Sequence, residues 1–263
     1  VKRIGVPGER VIFAGVGKTE QEMRASLEHG VAEFNLESGA EADRLQQVAS
    51  QLGQIAPVAL RVNPDVDAKT HKKITTGKKE NKFGISMEHA LVMAHQITKD
   101  MPNLKLVGIH CHIGSQILDP STYAKALKAV ADFARRVTTE TATTLETLNV
   151  GGGFGIAYEP GQEPFDIKPF AEVLRPEVEA LGVKLILEPG RSITGPAGLL
   201  LTRVEYIKRG LDKTFVIIDG SMSELLRPTL YEAYHRLQPV DQREGNPEPA
   251  DYVGPVCETG DFI

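Results

Sequence analysis

The feature that most constrains the fold is a repeated alternation between short apolar runs and longer amphipathic segments. Six runs rich in aliphatic and β-branched residues end in glycine or polar residues: 11–16, 32–36, 58–62, 104–109, 147–150 and 183–187. Successive runs begin 21 to 46 residues apart, which leaves room for a helix and its loops in each interval. This alternation predicts a parallel sheet covered by helices.

The segments between the runs support this prediction, and the polar residues indicate which edge of the sheet is functional. Apolar residues recur at the three-to-four spacing of a helix face in 20–28, 41–52, 87–98, 123–138 and 169–181. Residues that can act in catalysis or ligand binding follow most of the strands. In (β/α)8 barrels this edge of the sheet carries the active site, whereas a doubly wound sheet binds its ligand at one switch point. We therefore predict an α/β fold with a (β/α)8 TIM-type barrel, six of whose eight βα units are present.

The pattern changes after about residue 194. Strand-like runs at 199–207, 214–218 and 251–256 follow one another without long helices, and the polar stretch 236–251 is predicted to be a loop. We predict a partial barrel over residues 1–195 and the beginning of a mainly β domain over residues 196–263. Because the chain opens on Val1 and holds six of eight units, we expect it to be an excerpt that lacks both ends of a longer chain.

Composition narrows the class of function. The chain has 263 residues, with 30 basic and 35 acidic residues and a net charge of −5, which argues against nucleic acid and anionic lipid as partners. No apolar run approaches the roughly 18 residues of a membrane helix. The two cysteines, Cys111 and Cys257, form no CxxC motif, which favours a reducing compartment and hence the cytoplasm. A targeting segment ahead of Val1 stays open as an alternative.

Two motifs after the central strands each allow two interpretations. The glycines at 151, 152 and 153 suit either a phosphate cradle or a tight strand-to-helix turn. His110 and His112 lie on one face of a strand end, since side chains alternate with period two. They suit zinc in a metal-dependent hydrolase, although further ligands would be needed and we predict no metal. Alternatively, a neutral imidazole stacks on an aromatic cofactor, with Ser115 binding a phosphate.

The third motif, Glu188-Pro189-Gly190-Arg191, places an acid and a base at one strand end. A structural ion pair is one interpretation. In the other, the Glu188 carboxylate lies beside a pyridine nitrogen and favours the protonated ring, the form in which pyridoxal phosphate acts as an electron sink. Arg191 would then hold a carboxylate in bidentate fashion.

Taken in chain order, seven motifs resemble those of the diaminopimelate decarboxylases, a family of fold-type III decarboxylases that depend on pyridoxal 5'-phosphate. The motifs are Arg61-Val62-Asn63-Pro64, Lys82-Phe83-Gly84, the run 108–115, the run 151–155, Glu188-Pro189-Gly190-Arg191, the run 227–231 and Cys257-Glu258. The resemblance implies a pyridoxal-phosphate barrel followed by a β domain, in a homodimer with shared active sites. It also implies a carboxy-lyase that converts meso-diaminopimelate to L-lysine and CO2 in lysine biosynthesis.

The same resemblance implies roles for individual residues. Cys257 donates a proton to the substrate carbon after CO2 leaves, and Glu258 binds the distal amino group, both in the partner subunit's site. The residues implied in holding the substrate's carboxylate are Arg191, Arg227 and Tyr231. The residues implied in holding the cofactor are His112, Ser115, Gly151, Gly152, Gly153, Glu188, Gly190 and Arg191, with Arg61 near it.

One departure from the family pattern bears on activity. No lysine in this chain matches the family's Schiff-base lysine, which precedes the first motif present here, so we expect this chain by itself not to turn over substrate. A non-catalytic relative and a decarboxylase of another basic amino acid stay open as alternatives. A metal-dependent hydrolase is a more remote one.

Overall fold

The computed structural model describes residues 1–64, 82–241 and 248–263, which group into two compact units. Unit 1 comprises Val1–Gly155 and Phe165–Ile193, and unit 2 comprises Ile156–Pro164 and Thr194–Ile263. Part of the loop predicted at 236–251 lies outside the described residues. None of the helices that the model describes is long and apolar enough to cross a membrane.

A parallel sheet organises unit 1. Its strands are β1 (Ile12–Phe13), β2 (Glu33–Leu36), β3 (Ala56–Asn63), β4 (Ile85–Ser86), β5 (Leu104–His110), β6 (Thr147–Asn149) and β7 (Lys184–Ile186). They lie in the order β1-β2-β3-β5-β6-β7, with β4 paired to β3, and every pairing is parallel. The six predicted strands are confirmed in this order. The sequence pattern missed β4, whose two residues are too few to show a period.

Helices follow most of these strands. They are α1 (Glu20–Glu28), α2 (Gly39–Leu52), α3 (Met87–Asp100), α4 (Pro120–Thr141), α5 (Ile167–Leu181) and the short α6 (Arg191–Thr194). Polar side chains define where the long ones begin: Thr19 forms a capping box with Glu22, and Ser38 accepts a hydrogen bond from the Glu41 backbone. The five predicted helices are confirmed, each with its apolar stripe in the core.

The core lies between the sheet and these helices. Phe34 and Leu36 of β2 are fully buried, as are Leu45 of α2 and Ile109 of β5. Because side chains alternate along a strand, the neighbours of Phe34, Glu33 and Asn35, point to the opposite, concave face. One face of β2 is therefore apolar and the other polar, although all four residues of the strand are buried.

A hydrogen bond across the concave face shows how tightly the sheet curls. The Thr147 hydroxyl on β6 donates to Glu33 Oε2 on β2 at 2.6 Å, although β3 and β5 lie between these strands. The two side chains meet above Gly108 of β5, where an added Cβ would lie 2.0 Å from Thr147 Oγ1. Gly108 therefore leaves the space in which the bond forms, and the sheet is a partial barrel, as predicted.

Unit 2 contains a separate three-stranded sheet. Its strands are β8 (Val204–Arg209), β9 (Thr214–Ile218) and β10 (Asp251–Val253), with β8 antiparallel and β10 parallel to β9. A short helix, α7 (Arg227–Tyr231), lies between β9 and β10 in the chain. The prediction of a strand at 199–207 was wrong for residues 199–203, which pair with no strand among those described. The strand begins at Val204. The strand predicted at 251–256 ends at Val253, before Gly254 and Pro255.

We expect Gly108→Ala to destabilise the protein by about 1–3 kcal/mol, since the methyl group overlaps Thr147 Oγ1 and forces the concave face apart. Gly39→Ala is the matched control, because a Cβ there meets no atom within 4 Å and Gly39 lies in helix α2. It should be neutral or stabilising by less than about 1 kcal/mol. Urea unfolding measures both, and equal effects of the two substitutions would contradict the constraint at Gly108.

Glu33→Gln should change the pH dependence of stability. Burial raises the pKa of the Glu33 carboxyl above its ordinary value of 4.5, while the bond from Thr147 opposes the shift and the Glu188 charge adds to it. The folded state thus holds this proton more tightly than the unfolded state, and stability falls as the pH rises through the folded pKa. A glutamine keeps an acceptor for Thr147 but does not ionise.

The variant should therefore be more stable than the wild type near pH 7, and its advantage should vanish below pH 4.5, where Glu33 is protonated in both states. Urea unfolding across this pH range tests the expectation. An advantage of the same size at both ends of the range would show that ionisation of Glu33 is not the cause.

Candidate functional site

The carboxyl ends of β6 and β7 hold an acidic side chain in a defined position. Asn149 Nδ2 donates to Glu188 Oε1 at 2.8 Å, and His110 Nε2 lies 3.5 Å from the same oxygen. The Asn149 side chain also accepts the Gly151 backbone N–H at 2.9 Å. The Glu188 side chain keeps 38% of its surface exposed. Its carboxylate is thus anchored at one oxygen while remaining accessible to a ligand.

His112, just after β5, is held as a neutral ring. The Gly152 backbone N–H donates to His112 Nδ1 at 3.2 Å, which requires this nitrogen to be unprotonated. Burial, with the positive charge of Arg61 as a second cause, lowers the pKa of His112 to about 4. At neutral pH the imidazole is therefore uncharged, a state in which it can lie against a cationic aromatic ring without charge repulsion.

The glycine run packs against both neighbouring strand ends. Gly151 and Gly153 have positive φ angles of 69° and 99°. A Cβ at Gly152 would lie 2.0 Å from the Glu188 carbonyl oxygen, and one at Gly153 would lie 2.1 Å from that of Gly114. The run therefore forms a tight turn, the second of our two interpretations. Asn149 accepts the backbone N–H of Gly151, and His112 accepts that of Gly152.

The loops after β5 and β7 meet through Arg191. Arg191 Nη1 donates to Gln116 Oε1 at 3.0 Å, and Gln116 has a φ of 58°, which is uncommon for a residue with a side chain. The bond brings Glu188, Gly190 and Arg191 to the loop that carries the half-buried Ser115. A hydroxyl, a guanidinium group and a carboxylate thus occupy adjoining loops at the same edge of the sheet.

Arg61 belongs to a buried ionic network on the other side of this edge. Its Nη1 donates to Glu37 Oε1 at 2.8 Å, and both side chains are less than a tenth exposed. The Glu37 carboxylate also accepts the backbone N–H groups of Gly15 and Gly84 at 3.2 and 3.0 Å. Glu37 therefore joins the segments after β1, β2 and β3, and it holds the cation that helps to keep His112 neutral.

The network extends to Lys18. The backbone N–H of Glu37 donates to Glu41 Oε2 at 2.6 Å, and Lys18 Nζ donates to Glu41 Oε1 at the same distance. Lys18 Nζ also donates to the carbonyl oxygens of Gly15 and Asn35. With three acceptors in place, Lys18 is a buried structural cation. No cofactor role was expected for it, and its contacts account for its position.

The structure adds partners that the sequence motifs did not indicate. Asn149 and Glu37 orient Glu188 and Arg61, respectively, from neighbouring strand ends. A signal in the sequence could have found both residues. Glu37 directly follows a predicted strand, and Asn149 is at the last inward-pointing position of one. Cys111 is a buried free thiol, and burial raises its pKa to about 12, so it is protonated at neutral pH.

The remaining predicted residues lie in unit 2, in two adjoining segments. Arg227 and Tyr231 are the first and last residues of α7. The Thr229 hydroxyl in this helix donates to the Gly260 carbonyl at 2.7 Å, which joins α7 to the turn that carries the exposed Cys257 and Glu258.

Asp261 shapes this turn from its other end. It is buried, and its carboxylate accepts the backbone N–H groups of Met222 and Val256 at 2.6 and 2.9 Å. The sequence motifs did not single out this residue.

The zinc interpretation gains no support. Across residues 1–64, 82–241 and 248–263, no group of three or more His, Cys, Asp or Glu side chains could hold a metal ion. Burial, followed by the charge of Arg61, lowers the pKa of His110 well below its ordinary value. Both of its ring nitrogens are buried without a hydrogen-bond partner among the described residues.

Comparison with known proteins places these residues in context. A family model described as "pyridoxal-dependent decarboxylase, pyridoxal binding domain" matches residues 1–195. A diaminopimelate decarboxylase of Aquifex aeolicus is 44% identical over 262 residues, covering 100% of this chain and 62% of the relative. One from Neisseria meningitidis serogroup B is 47% identical over 259 residues, covering 98% of this chain and 62% of the relative.

A solved structure agrees with these sequence relatives. Diaminopimelate decarboxylase of Helicobacter pylori, complexed with L-lysine, superposes with a TM-score of 0.93 and is 38% identical. The match covers 99% of this chain and 64% of that one. The chain thus spans less than two thirds of the length of these relatives.

We expect Glu37→Ala to lower the free energy of unfolding by about 3–5 kcal/mol, because it leaves the buried Arg61 without its anion. Glu37→Gln should cost less, since its amide oxygen still accepts from Arg61. Glu146→Ala is the control: it breaks the pair with Lys105, whose side chains are 61% and 54% exposed, at a cost below about 1 kcal/mol. Urea unfolding compares the three, and similar losses for Glu37→Ala and Glu146→Ala would rule out a special role for the buried network.

Proposed function

Because the chain belongs to the pyridoxal-dependent decarboxylase family, we propose that the protein removes CO2 from meso-diaminopimelate to form L-lysine. The observation that carries the proposal is Glu188, an accessible carboxylate anchored by Asn149 in a loop next to the one that carries His112. The identity of 44–47% to diaminopimelate decarboxylases supports the choice of substrate.

The residues present fit pyridoxal 5'-phosphate. When bound, the cofactor supplies an electron sink for the negative charge that CO2 leaves on the α-carbon. Glu188 would accept a hydrogen bond from the pyridine N–H and so keep the ring protonated. The neutral His112 would stack on the ring, since an imidazolium would repel it.

The phosphate would be held at the loops beside this acid. Ser115 would donate its hydroxyl, and Gly153 its backbone N–H. Gly151 and Gly152 would shape the turn, and Gly190 would contact the cofactor from the loop after β7. Arg61 would lie near the cofactor, where it favours the neutral form of His112.

The proposed substrate contacts are those that the family resemblance implies. Arg191, Arg227 and Tyr231 would bind the carboxylate at the end of the substrate that does not react. Cys257 would donate its thiol proton to the α-carbon once CO2 has left, and Glu258 would bind the distal ammonium group. The exposed positions of Cys257 and Glu258 support a homodimer in which both act in the partner subunit's site.

Location and domain limits belong to the same proposal. We place the cofactor domain at residues 1–195 and the beginning of the β domain at 196–263, in a cytoplasmic enzyme of lysine biosynthesis. The family-model match over residues 1–195 supports this boundary.

The test uses the protein expressed from its complete reading frame and loaded with pyridoxal phosphate. Release of CO2 and L-lysine from meso-diaminopimelate is expected, with ornithine and arginine as comparison substrates. Release from ornithine or arginine in preference to diaminopimelate would reassign the substrate. Stoichiometric zinc without pyridoxal phosphate in the purified protein would refute the proposal.

Cys257→Ala should lower kcat by about 10²–10⁴-fold, because it removes the proton donor, and should leave the visible absorbance of the cofactor unchanged. Cys111→Ala is the matched control, since the buried Cys111 thiol has no role in the proposed reaction and its loss should leave kcat near that of the wild type. Equal kcat values for Cys257→Ala and the wild type would remove Cys257 as the donor.

A further inference from the structure

Arg227 is held by two aromatic residues that no motif of the family resemblance includes. Its guanidinium carbon lies 4.5 Å from the centroid of the Tyr158 ring. Its Nη1 lies 3.1 Å from His235 Nε2. The rings of Tyr158 and His235 meet edge to face, with centroids 5.4 Å apart. All three residues belong to unit 2, although Tyr158 is distant from the others in the chain.

The contacts determine which atoms of Arg227 stay available. A guanidinium group only donates, so His235 Nε2 is the acceptor and its ring is neutral. The Tyr158 ring covers one face of the guanidinium group through a cation–π contact. The Tyr158 ring therefore fixes the plane of the guanidinium group, and the bond to His235 fixes the position of Nη1.

The opposite edge of Arg227 carries its buried Nε. Arg227 Nε is buried and has no hydrogen-bond partner among the described residues. Within residues 1–64, 82–241 and 248–263, no carboxylate forms an ion pair with Arg227. A buried N–H without an acceptor is costly, which indicates that the acceptor arrives with a ligand. Nε and Nη2 present two parallel N–H groups, the geometry that matches a carboxylate.

We propose that Tyr158 and His235 are positioning residues that hold Arg227 as the receptor for the second carboxylate of the substrate. The inference rests on the proposed function and deepens it, since it names the residues that favour a dicarboxylic over a monocarboxylic amino acid. Holding the guanidinium group in advance lowers the entropy lost when the carboxylate binds. A substrate without the second carboxylate leaves the buried N–H unpaired and gains nothing from this arrangement.

The experiment compares paired variants of the loaded protein. Tyr158→Leu removes the ring, whereas Tyr158→Phe keeps it; His235→Ala removes the acceptor, whereas His235→Gln supplies an amide oxygen in its place. Tyr158→Leu and His235→Ala should each raise KM for meso-diaminopimelate about tenfold, with kcat within about twofold of the wild type. The two conservative variants should restore KM.

Two binding measurements separate positioning from general damage. Calorimetry with pimelate, an unreactive dicarboxylate, should show the same tenfold weakening in Tyr158→Leu and His235→Ala. Inhibition by cadaverine, which has no carboxylate, should be unchanged. Unchanged KM and pimelate affinity would overturn the inference, and so would an equal loss of cadaverine and pimelate binding.

Failure of the proposed function gives a different result. If the wild type does not decarboxylate meso-diaminopimelate but pimelate binding still depends on Tyr158 and His235, the carboxylate receptor stands and the assigned reaction falls. If the wild type is active and the variants match it in every measurement, the positioning role alone is refuted.

Discussion

The curl of the parallel sheet is the constraint on which the site in unit 1 depends, and one hydrogen bond spans it. Thr147 reaches Glu33 across two intervening strands because Gly108 leaves the space above it empty. In a flatter sheet, the ends of β2 and β6 would diverge. The loop after β7, which carries Glu188, would then lie too far from β2 for the Glu188 charge to add to the effect of burial in raising the pKa of Glu33.

Charge at this edge is arranged so that neighbouring groups assist one another. Glu37 binds Arg61, and the cation adds to the effect of burial in lowering the pKa of His110 and His112. Asn149 anchors Glu188 with a neutral donor, which orients the carboxylate without cancelling its charge. Each ionised group therefore has a partner that fixes its position, and the groups proposed to meet the cofactor are an anion and an uncharged ring.

Much of the fold could be predicted from the sequence because it depends on local periodicity. The apolar runs predict β2 and β5. The three-to-four spacing predicts α1 with the same first and last residues as the structure shows. The beginning of β8 could not be predicted, since Leu199 and Leu201 are apolar like the strand that follows, and only the pairing with β9 shows that the strand begins at Val204. Among the candidate site residues, the motifs singled out His112 and Glu188. Asn149 and Glu37 could not be assigned, because their partners depend on the register between strands.

The packing of the glycine run changes how variation at these positions is to be understood. A methyl group at residue 152 or 153 would collide with a backbone carbonyl of a neighbouring loop, whether or not a phosphate is bound. Selection for glycine here would thus persist in a descendant that had lost its cofactor and its activity. The run is consequently a marker of shared ancestry. A change of chemistry would first appear as a substitution at Glu188, whose side chain is partly exposed.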